Sequence, residues 1–134
     1  MPAAARANTA AGAEAFTTYF MAQANSAYRT ARPEIFDQLV TTGCKTCTGL
    51  REAVEEMSQK SQHYDGDFGT PTSINVATFS SSTAKTFVTT KTAQCNVRGA
   101  SDQIVNTVPA DDSSLSFFMK FDGAWRITEI KLAA

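Results

Sequence analysis

The 134 residues, of which 43% are hydrophobic and 19% charged, have the length and composition of one globular domain. Twelve basic and thirteen acidic residues give a net charge of −1, and no basic stripe typical of nucleic-acid-binding proteins is visible. Lys85 and Lys91 stand among threonines as solvated strand positions. No apolar run approaches the ~20 residues that a membrane-spanning helix needs, and the first residues lack the apolar core of a signal peptide.

The sequence begins with a linker-like lead and continues with helical periodicity. Residues 1–8 are rich in Ala and are expected to be a flexible linker remnant, whose upstream part has been removed, so that residues 9–134 form a single domain. From Thr9 to Arg29 apolar residues recur every three or four positions, which predicts a helix with one buried face. That face carries Ala13, Phe16, Phe20, Ala24 and Ala27.

Two further helices are predicted in the first half of the chain. Pro33 suits the first turn of a short second helix, which Gly43 ends. Its buried side is formed by Ile35, Phe36, Leu39 and Val40. A third helix is predicted over residues 46–62 because Cys47, Leu50, Val54, Met57 and Ser61 share one face. The segment HYDGDFGTP then predicts a turn.

From residue 72 the period changes to two, which predicts a meander of strands. The predicted strands are SINVATF, AKTFVTTKTAQCNV, QIVNTV, SLSFFMKF and AWRITEIKL. In the last strand, Trp125 and Ile127 differ in parity from Ile130 and Leu132, so a bulge near residues 128–129 would bring both pairs to one side. The order predicts an α+β domain, with three helices packed on a curved antiparallel sheet of four to five strands.

Three stretches of the sequence resemble the cone-shaped domains of the nuclear transport factor 2-like (cystatin-like) superfamily. They are the first helix, GAEAFTTYF, the junction FDQL…GCKTC and the closing hairpin FDGAWRITEI. More narrowly, they resemble a family of exported lipoprotein domains from actinobacteria that carry a C-x-x-C after the second helix. The resemblance covers about residues 9–132 and implies a cell-envelope location, with a signal and a lipid anchor removed from this chain. Cys95 departs from that pattern.

The Cys44–Cys47 pair has three interpretations. A redox centre requires a C-x-x-C that follows a strand within a βαβ unit, whereas here a helix is predicted on both sides. A zinc site requires about four ligands, and Cys44, Cys47, His63 and Cys95 match no standard spacing. A structural disulfide that pins the junction of the second and third helices is favoured, and such a bridge persists in an oxidising compartment. Cys95 is then most simply a small buried residue, with an intermolecular disulfide as the alternative.

A cone-shaped fold implies a pocket between helices and sheet. Its predicted lining is Phe16, Tyr19, Phe20, Phe117, Phe121 and Trp125. The titratable alternatives are Asp37, His63, Asp65 and Asp67, with Tyr19, Tyr28 and Tyr64 as possible hydrogen-bond donors. Surface and turn roles explain these polar residues most simply, and the inward strand positions carry no acid or base for general acid–base catalysis.

We therefore expect a non-catalytic, extracytoplasmic domain of a cell-envelope lipoprotein. It would bind a hydrophobic small molecule, a lipid or a partner protein at the cone, without cofactor, metal or nucleic acid. The alternative is a small enzyme of the isomerase or dehydratase type that uses His63 or a pocket Asp such as Asp65. A homodimer through the open sheet face is a further expectation.

Overall fold

The computed structural model of the chain describes residues 1–133 as two α-helices and seven strands in two antiparallel sheets. The helices are α1 (Ala10–Thr30) and α2 (Lys45–Gln59). The strands are β1 (His63–Tyr64), β2 (Pro71–Ser80), β3 (Thr83–Thr92), β4 (Cys95–Arg98), β5 (Ile104–Val108), β6 (Asp111–Phe121) and β7 (Trp125–Leu132). The predicted α+β class is confirmed, whereas the predicted number of helices is wrong.

Helix α1 forms as its sequence predicts. The hydroxyl of Thr9 caps it by accepting a hydrogen bond from the Gly12 N–H at 2.9 Å. Ala31 ends it in the left-handed conformation, with φ of 54°. The predicted apolar face is buried against the large sheet, where the hydroxyl of Thr17 also bonds to that of Thr86 at 3.0 Å.

The predicted second helix is a single 3₁₀ turn, Pro33–Phe36. Phe36 in this turn is buried, and its ring packs on that of Phe20 with centroids 6.1 Å apart. After this turn the chain leaves helical geometry, because its backbone forms hydrogen bonds to β7 instead. The Ile127 N–H donates to the Leu39 carbonyl and the Thr41 N–H donates to the Ile127 carbonyl, both at 2.9 Å. This pairing replaces the hydrogen bonds that a longer helix would make.

The large sheet has the order β2-β3-β6-β7 and packs one face on α1. Alternate residues of β3 are buried, as a half-exposed strand requires. The register between β6 and β7 shifts after Phe118 and leaves Thr128 as an extra residue, which confirms the predicted bulge. Ile127 and Ile130 are both buried as expected, but Leu132 is 79% exposed at the end of this edge strand.

The small sheet has the order β1-β4-β5 and was not predicted as a separate unit. The long strand predicted over residues 84–97 breaks at Ala93 and Gln94, so that its second part pairs in a different sheet. Strand β1 lies in the segment predicted as a turn, since two residues are too few to show a periodicity. The structure therefore has seven strands where four to five were expected.

The lead of the chain packs against the domain, in contrast to the expected flexible linker. Ala3–Arg6 forms a 3₁₀ turn, and Ala5 is buried. The indole N–H of Trp125 donates to the carbonyl of Ala7 at 2.8 Å. A buried indole N–H needs such an acceptor, so the lead completes the core at this end of the sheet.

Candidate binding site at the small sheet

The aromatic residues predicted to line a pocket lie largely inside the core. Phe16, Phe20, Phe117 and Trp125 are each no more than 1% exposed. The rings of Phe20 and Phe117 pack edge to face with centroids 5.6 Å apart. Tyr19 and Phe121 are half-buried against the same core. These side chains therefore fill the space between helix and sheet that the sequence analysis assigned to a ligand.

A cleft of about 370 Å³ opens instead between α2 and the small sheet. It is lined by Tyr28, Ala53, Glu56, Met57, Lys60, Gln62, Tyr64, Val97, Val105 and Asn106. Its volume falls within the range of sites that accept a small ligand or a side chain of a partner. We refer to it as the α2–β5 cleft.

Strand register explains why these residues meet. Tyr64 of β1 lies opposite Val97 of β4, which in turn lies opposite Asn106 of β5. Residues in register project to the same face of a sheet, so the three side chains form one wall. A register shift after Val97 leaves Val105 as the extra residue of β5 and turns it towards the cleft. Met57 of α2 lies on the facing wall.

Tyrosines form the deep end of the cleft. The ring of Tyr28 stacks on Phe68 with centroids 4.4 Å apart and meets Tyr64 edge-on at 4.9 Å. Burial raises the pKa of Tyr28 well above its ordinary value, and the neighbouring Tyr64 adds to the shift. Burial likewise raises the pKa of Tyr64. Both phenols are therefore neutral at pH 7, and the Tyr28 hydroxyl donates to the Leu50 carbonyl at 3.4 Å.

The charged groups at the rim neutralise each other. The ammonium of Lys60 donates to the carboxylate of Glu56 at 2.7 Å, an i,i+4 pair on α2. That hydrogen bond lowers the pKa of Glu56. The α2–β5 cleft thus combines apolar, aromatic and amide side chains with a charge-paired rim, which suits the recognition of an uncharged group.

Strand β5 exposes apolar side chains beside the cleft. Ile104 is 57% exposed and Val105 is 47% exposed. In the sheet order, β5 has β4 on one side and no strand on the other among the described residues. The Thr107 N–H donates to the side-chain oxygen of Asn106 at 2.9 Å, a local acceptor that takes the place of a neighbouring strand. An exposed apolar edge strand is a template for pairing with another chain.

The predicted polar site does not assemble into acid–base machinery. His63 is half-buried and lines a separate surface depression with Arg29 and Ser61. Asp65 accepts a hydrogen bond from the Asn96 N–H at 2.7 Å and another from the Arg98 guanidinium at 2.8 Å. These bonds lower the pKa of Asp65, the first being the larger cause. Its carboxylate therefore serves to hold β1 and β4 together.

The other two candidate carboxylates are also held in ion pairs. Asp37 accepts from the guanidinium of Arg51 at 2.7 Å, and that hydrogen bond lowers the pKa of Asp37. Asp67 pairs with Arg29 and also accepts a hydrogen bond from the Thr70 hydroxyl at 2.9 Å. Each of the three predicted aspartates thus fixes one element to another, which is a structural role.

The Cys44–Cys47 pair forms a disulfide with an S–S distance of 2.06 Å, so the favoured interpretation of the C-x-x-C is confirmed. Cys44 is the N-cap of α2, and its sulfur accepts from the Cys47 N–H at 3.2 Å. The bridge uses two of the four residues considered as zinc ligands. Cys95 is 8% exposed and has a free thiol, as expected, and burial raises its pKa.

The disulfide is compatible with an extracytoplasmic location, because such bonds persist in oxidising compartments. Neither helix in the described part of the chain has the length and apolar character needed to cross a bilayer.

Solved structures share this fold at low sequence identity. The intermembrane space region of the chloroplast protein ARC6 is 16% identical, with a TM-score of 0.70 over 94% of this chain and 97% of that one. A protein of Caulobacter vibrioides with a cystatin-like fold is 14% identical, with a TM-score of 0.55 over 92% of both chains. At these identities the likeness shows the fold, which is the cystatin-like fold that the sequence resemblance implied.

No curated protein matches the sequence. A family model matches residues 1–131, which include the lead that packs beneath Trp125 as well as the small sheet. The chain therefore belongs to the family of unknown function DUF6318.

Proposed function

We propose that this chain is a non-catalytic, protein-binding domain of the cell envelope. An extended segment of a partner protein would add to the free edge of β5 and place an apolar side chain in the α2–β5 cleft. The observation that carries the proposal is the exposure of Ile104 (57%) and Val105 (47%) on an edge strand next to that cleft.

The recognition would rest on main-chain hydrogen bonds and one pocket. Strand addition supplies affinity through backbone pairing, and pockets for alternate side chains supply specificity. The Thr107 N–H, held by the side chain of Asn106, is available to a partner carbonyl once that side chain rotates. The half-buried ring of Tyr64, at the deep end of the cleft, offers a contact surface to an aliphatic or aromatic side chain.

A binding role outside the cone agrees better with this geometry than a ligand inside it. The rings of Phe16, Phe20 and Phe117 pack against other core atoms and do not face a cavity. The isomerase or dehydratase alternative is not supported either, because Asp65 is committed to Asn96 and Arg98. The proposal therefore keeps the expected partner protein and moves its site to the small sheet.

The location belongs to the same proposal. The sequence resembles exported lipoprotein domains of actinobacteria, and a buried Cys44–Cys47 bridge suits an oxidising compartment. We assign the chain to the outer side of a membrane, tethered through a lipid anchor on an upstream segment. Labelling of the full-length precursor with a radioactive fatty acid would test this assignment. Absence of label from a precursor that is exported intact would contradict it.

Selection from a random 15-residue peptide library tests the binding role. We expect selected peptides to contain alternating apolar residues, to bind in an extended conformation and to shift the NMR signals of β5 and Tyr64. Val105→Ser should weaken the binding about tenfold, since one partly buried apolar contact is lost. Phe87→Ser, on a different sheet, is the matched control and should leave the affinity unchanged.

Two results would contradict the proposal. One is a failure to select any peptide whose binding depends on Val105. The other is a set of peptides whose NMR shifts map to α1 and β6, which would return the site to the interior of the cone.

A further inference from the structure

The large sheet turns a second face to solvent, opposite to the face that packs on α1. Its charged residues project from alternate positions of β3, β6 and β7, as the strand register shows. We call this surface the outer sheet face. Its basic residues are Lys85, Lys91, Lys120, Arg126 and Lys131, and its acidic residues are Asp112 and Glu129.

Charge is separated between this face and the rest of the molecule. Five basic and two acidic side chains give the outer sheet face a balance of +3. The remaining seven basic and eleven acidic residues of the chain balance to −4. This arrangement is not visible in the sequence, because the basic residues are spread over three strands. Only the pairing register of the strands brings them onto one face.

Most of the cations on the outer sheet face have no carboxylate partner. Lys131 lies 3.7 Å from the carboxylate of Glu129. Within residues 1–133, the other four basic residues of the face make no salt bridge, whereas the arginines of α1 and α2 do. Unpaired cations on one face create a positive potential that attracts an anionic partner.

Aromatic rings lie among these cations. The Lys85 ammonium lies 5.0 Å from the ring centroid of Phe87 and 5.4 Å from that of Phe118. The Lys131 ammonium lies 5.7 Å from the Phe118 centroid on the other side. Phe87 is 40% exposed, so its ring presents apolar area to solvent between amines. Aromatic residues flanked by lysines are typical of surfaces that rest in the interface of a bilayer.

The same face has a concavity of about 380 Å³, in which Phe118 and Met119 lie beside side chains that can donate hydrogen bonds. Lys85 and Lys120 line it together with the hydroxyls of Thr78, Ser80 and Thr83. Ammonium groups and hydroxyls are the side-chain donors that bind phosphate oxygens. A second concavity of about 290 Å³ lies on the other side of Phe118, lined in part by Phe87 and Lys131.

The charge of this surface opposes contact with a second copy of itself. A symmetric dimer through the sheet would place the same patch of both copies in contact. Each outer sheet face carries a balance of +3, so the two faces would repel each other. The expected homodimer through the sheet is therefore disfavoured by the charges.

We propose that the outer sheet face binds the surface of an anionic lipid bilayer. Phe87 enters the interfacial region, Lys85 and Lys120 hold headgroup phosphates in the concavity between them, and Arg126 adds attraction. The proposal uses no residue of the α2–β5 cleft, so it stands or falls independently of the proposed function. It would leave β5, which belongs to the small sheet, free for a partner protein.

Flotation with lipid vesicles tests the proposal on the purified chain. We expect it to float with vesicles of phosphatidylcholine containing about one-third phosphatidylglycerol, and not with phosphatidylcholine alone. The bound fraction should fall as salt is added, because exposed charges are screened. Lys120→Glu with Arg126→Glu should weaken vesicle binding about thirtyfold or more, at ~1 kcal/mol for each basic residue lost.

The control variant carries the same change in net charge elsewhere. Arg29→Glu with Arg32→Glu alters two exposed arginines at the C-terminal end of α1, away from the outer sheet face, and should retain nearly wild-type vesicle binding. Phe87→Ser should weaken the binding about fivefold, whereas Val105→Ser should not change it. Circular dichroism of each variant confirms that it is folded.

Three results would overturn the proposal. The first is an absence of binding to the anionic vesicles, or equal binding to phosphatidylcholine alone. The second is an equal loss of binding in both double variants, which would show a dependence on net charge alone. The third is binding to soluble polyphosphate or to nucleic acid without binding to vesicles, which would assign the face to a polyanion.

Discussion

The two sheets of this domain differ in the length of their strands and in how much of each strand is buried. In the large sheet, β2, β3, β6 and β7 have eight to eleven residues, and the faces of β3, β6 and β7 towards α1 contain fully buried side chains. In the small sheet the strands have two to five residues, and most of β5 is exposed. Long strands with a buried face provide the stability, whereas short strands with an exposed edge remain available for contacts.

This difference separates the buried core from the proposed peptide-binding edge. The core aromatics that looked like a ligand pocket belong to the large sheet, where they are covered by α1. The two proposed binding surfaces lie outside this core, at the α2–β5 cleft and on the solvent-facing side of the large sheet. A comparison of matched substitutions in the two sheets tests this division.

The largest expected effect comes from one pair of isoleucines. Ile127 in β7 is fully buried, and Ile104 in β5 is 57% exposed. Ile127→Ala should lower the free energy of unfolding by about 2–5 kcal/mol, since it leaves a cavity in the core. Ile104→Ala should change it by less than about 0.5 kcal/mol. Urea denaturation of both variants measures the difference, and equal losses would contradict the division between the sheets.

The disulfide should have an intermediate effect that reaches the cleft. Cys44→Ser with Cys47→Ser should lower the free energy of unfolding by about 2 kcal/mol, as the closed loop is short. The bridge lies at the start of α2, which carries one wall of the α2–β5 cleft. We therefore expect NMR shifts to change near Met57 as well as at the junction, and Cys95→Ser serves as the control. If the double variant loses stability but shows no NMR shift change in the cleft, the disulfide does not support the cleft.

The smallest expected effect is the acid dependence of the small sheet. The pKa of Asp65 is lowered in the folded chain, so its contribution is present above its ordinary pKa of about 4 and is lost as the pH falls through the folded value. Asp65→Asn should therefore reduce the loss of stability between about pH 5 and pH 3. Asp122→Asn, at an exposed turn, is the control. Identical acid profiles for Asp65→Asn and the wild type would contradict the assigned role.

Strong local patterns in the sequence predicted part of this fold correctly. The stripe of α1 and the bulge at Thr128 follow from spacing within one element, which the sequence displays directly. The disulfide followed from the surroundings of the C-x-x-C. In each case the deciding interactions join residues that lie close together in the chain.

The features that the sequence did not predict depend on contacts between distant residues. The second helix ends early because β7 pairs with Leu39 and Thr41. The chain breaks after β3 because β4 pairs within the small sheet. In the sequence, the residues of β3 and β4 look like one continuous strand. The candidate sites were missed for the same reason, since the run of apolar residues at Ile104 and Val105 was the only local signal and looked like an ordinary strand.

Amide hydrogen exchange, with and without a selected peptide, tests most directly the claim that the small sheet is the binding site. Our account predicts that amides of β5 gain about tenfold or more protection when the peptide is bound, because they acquire a neighbouring strand. Amides at Thr86 and Val88 in β3 should exchange at the same rate in both states. Protection gained in β3 and α1, with β5 unchanged, would contradict the account and place the ligand inside the cone.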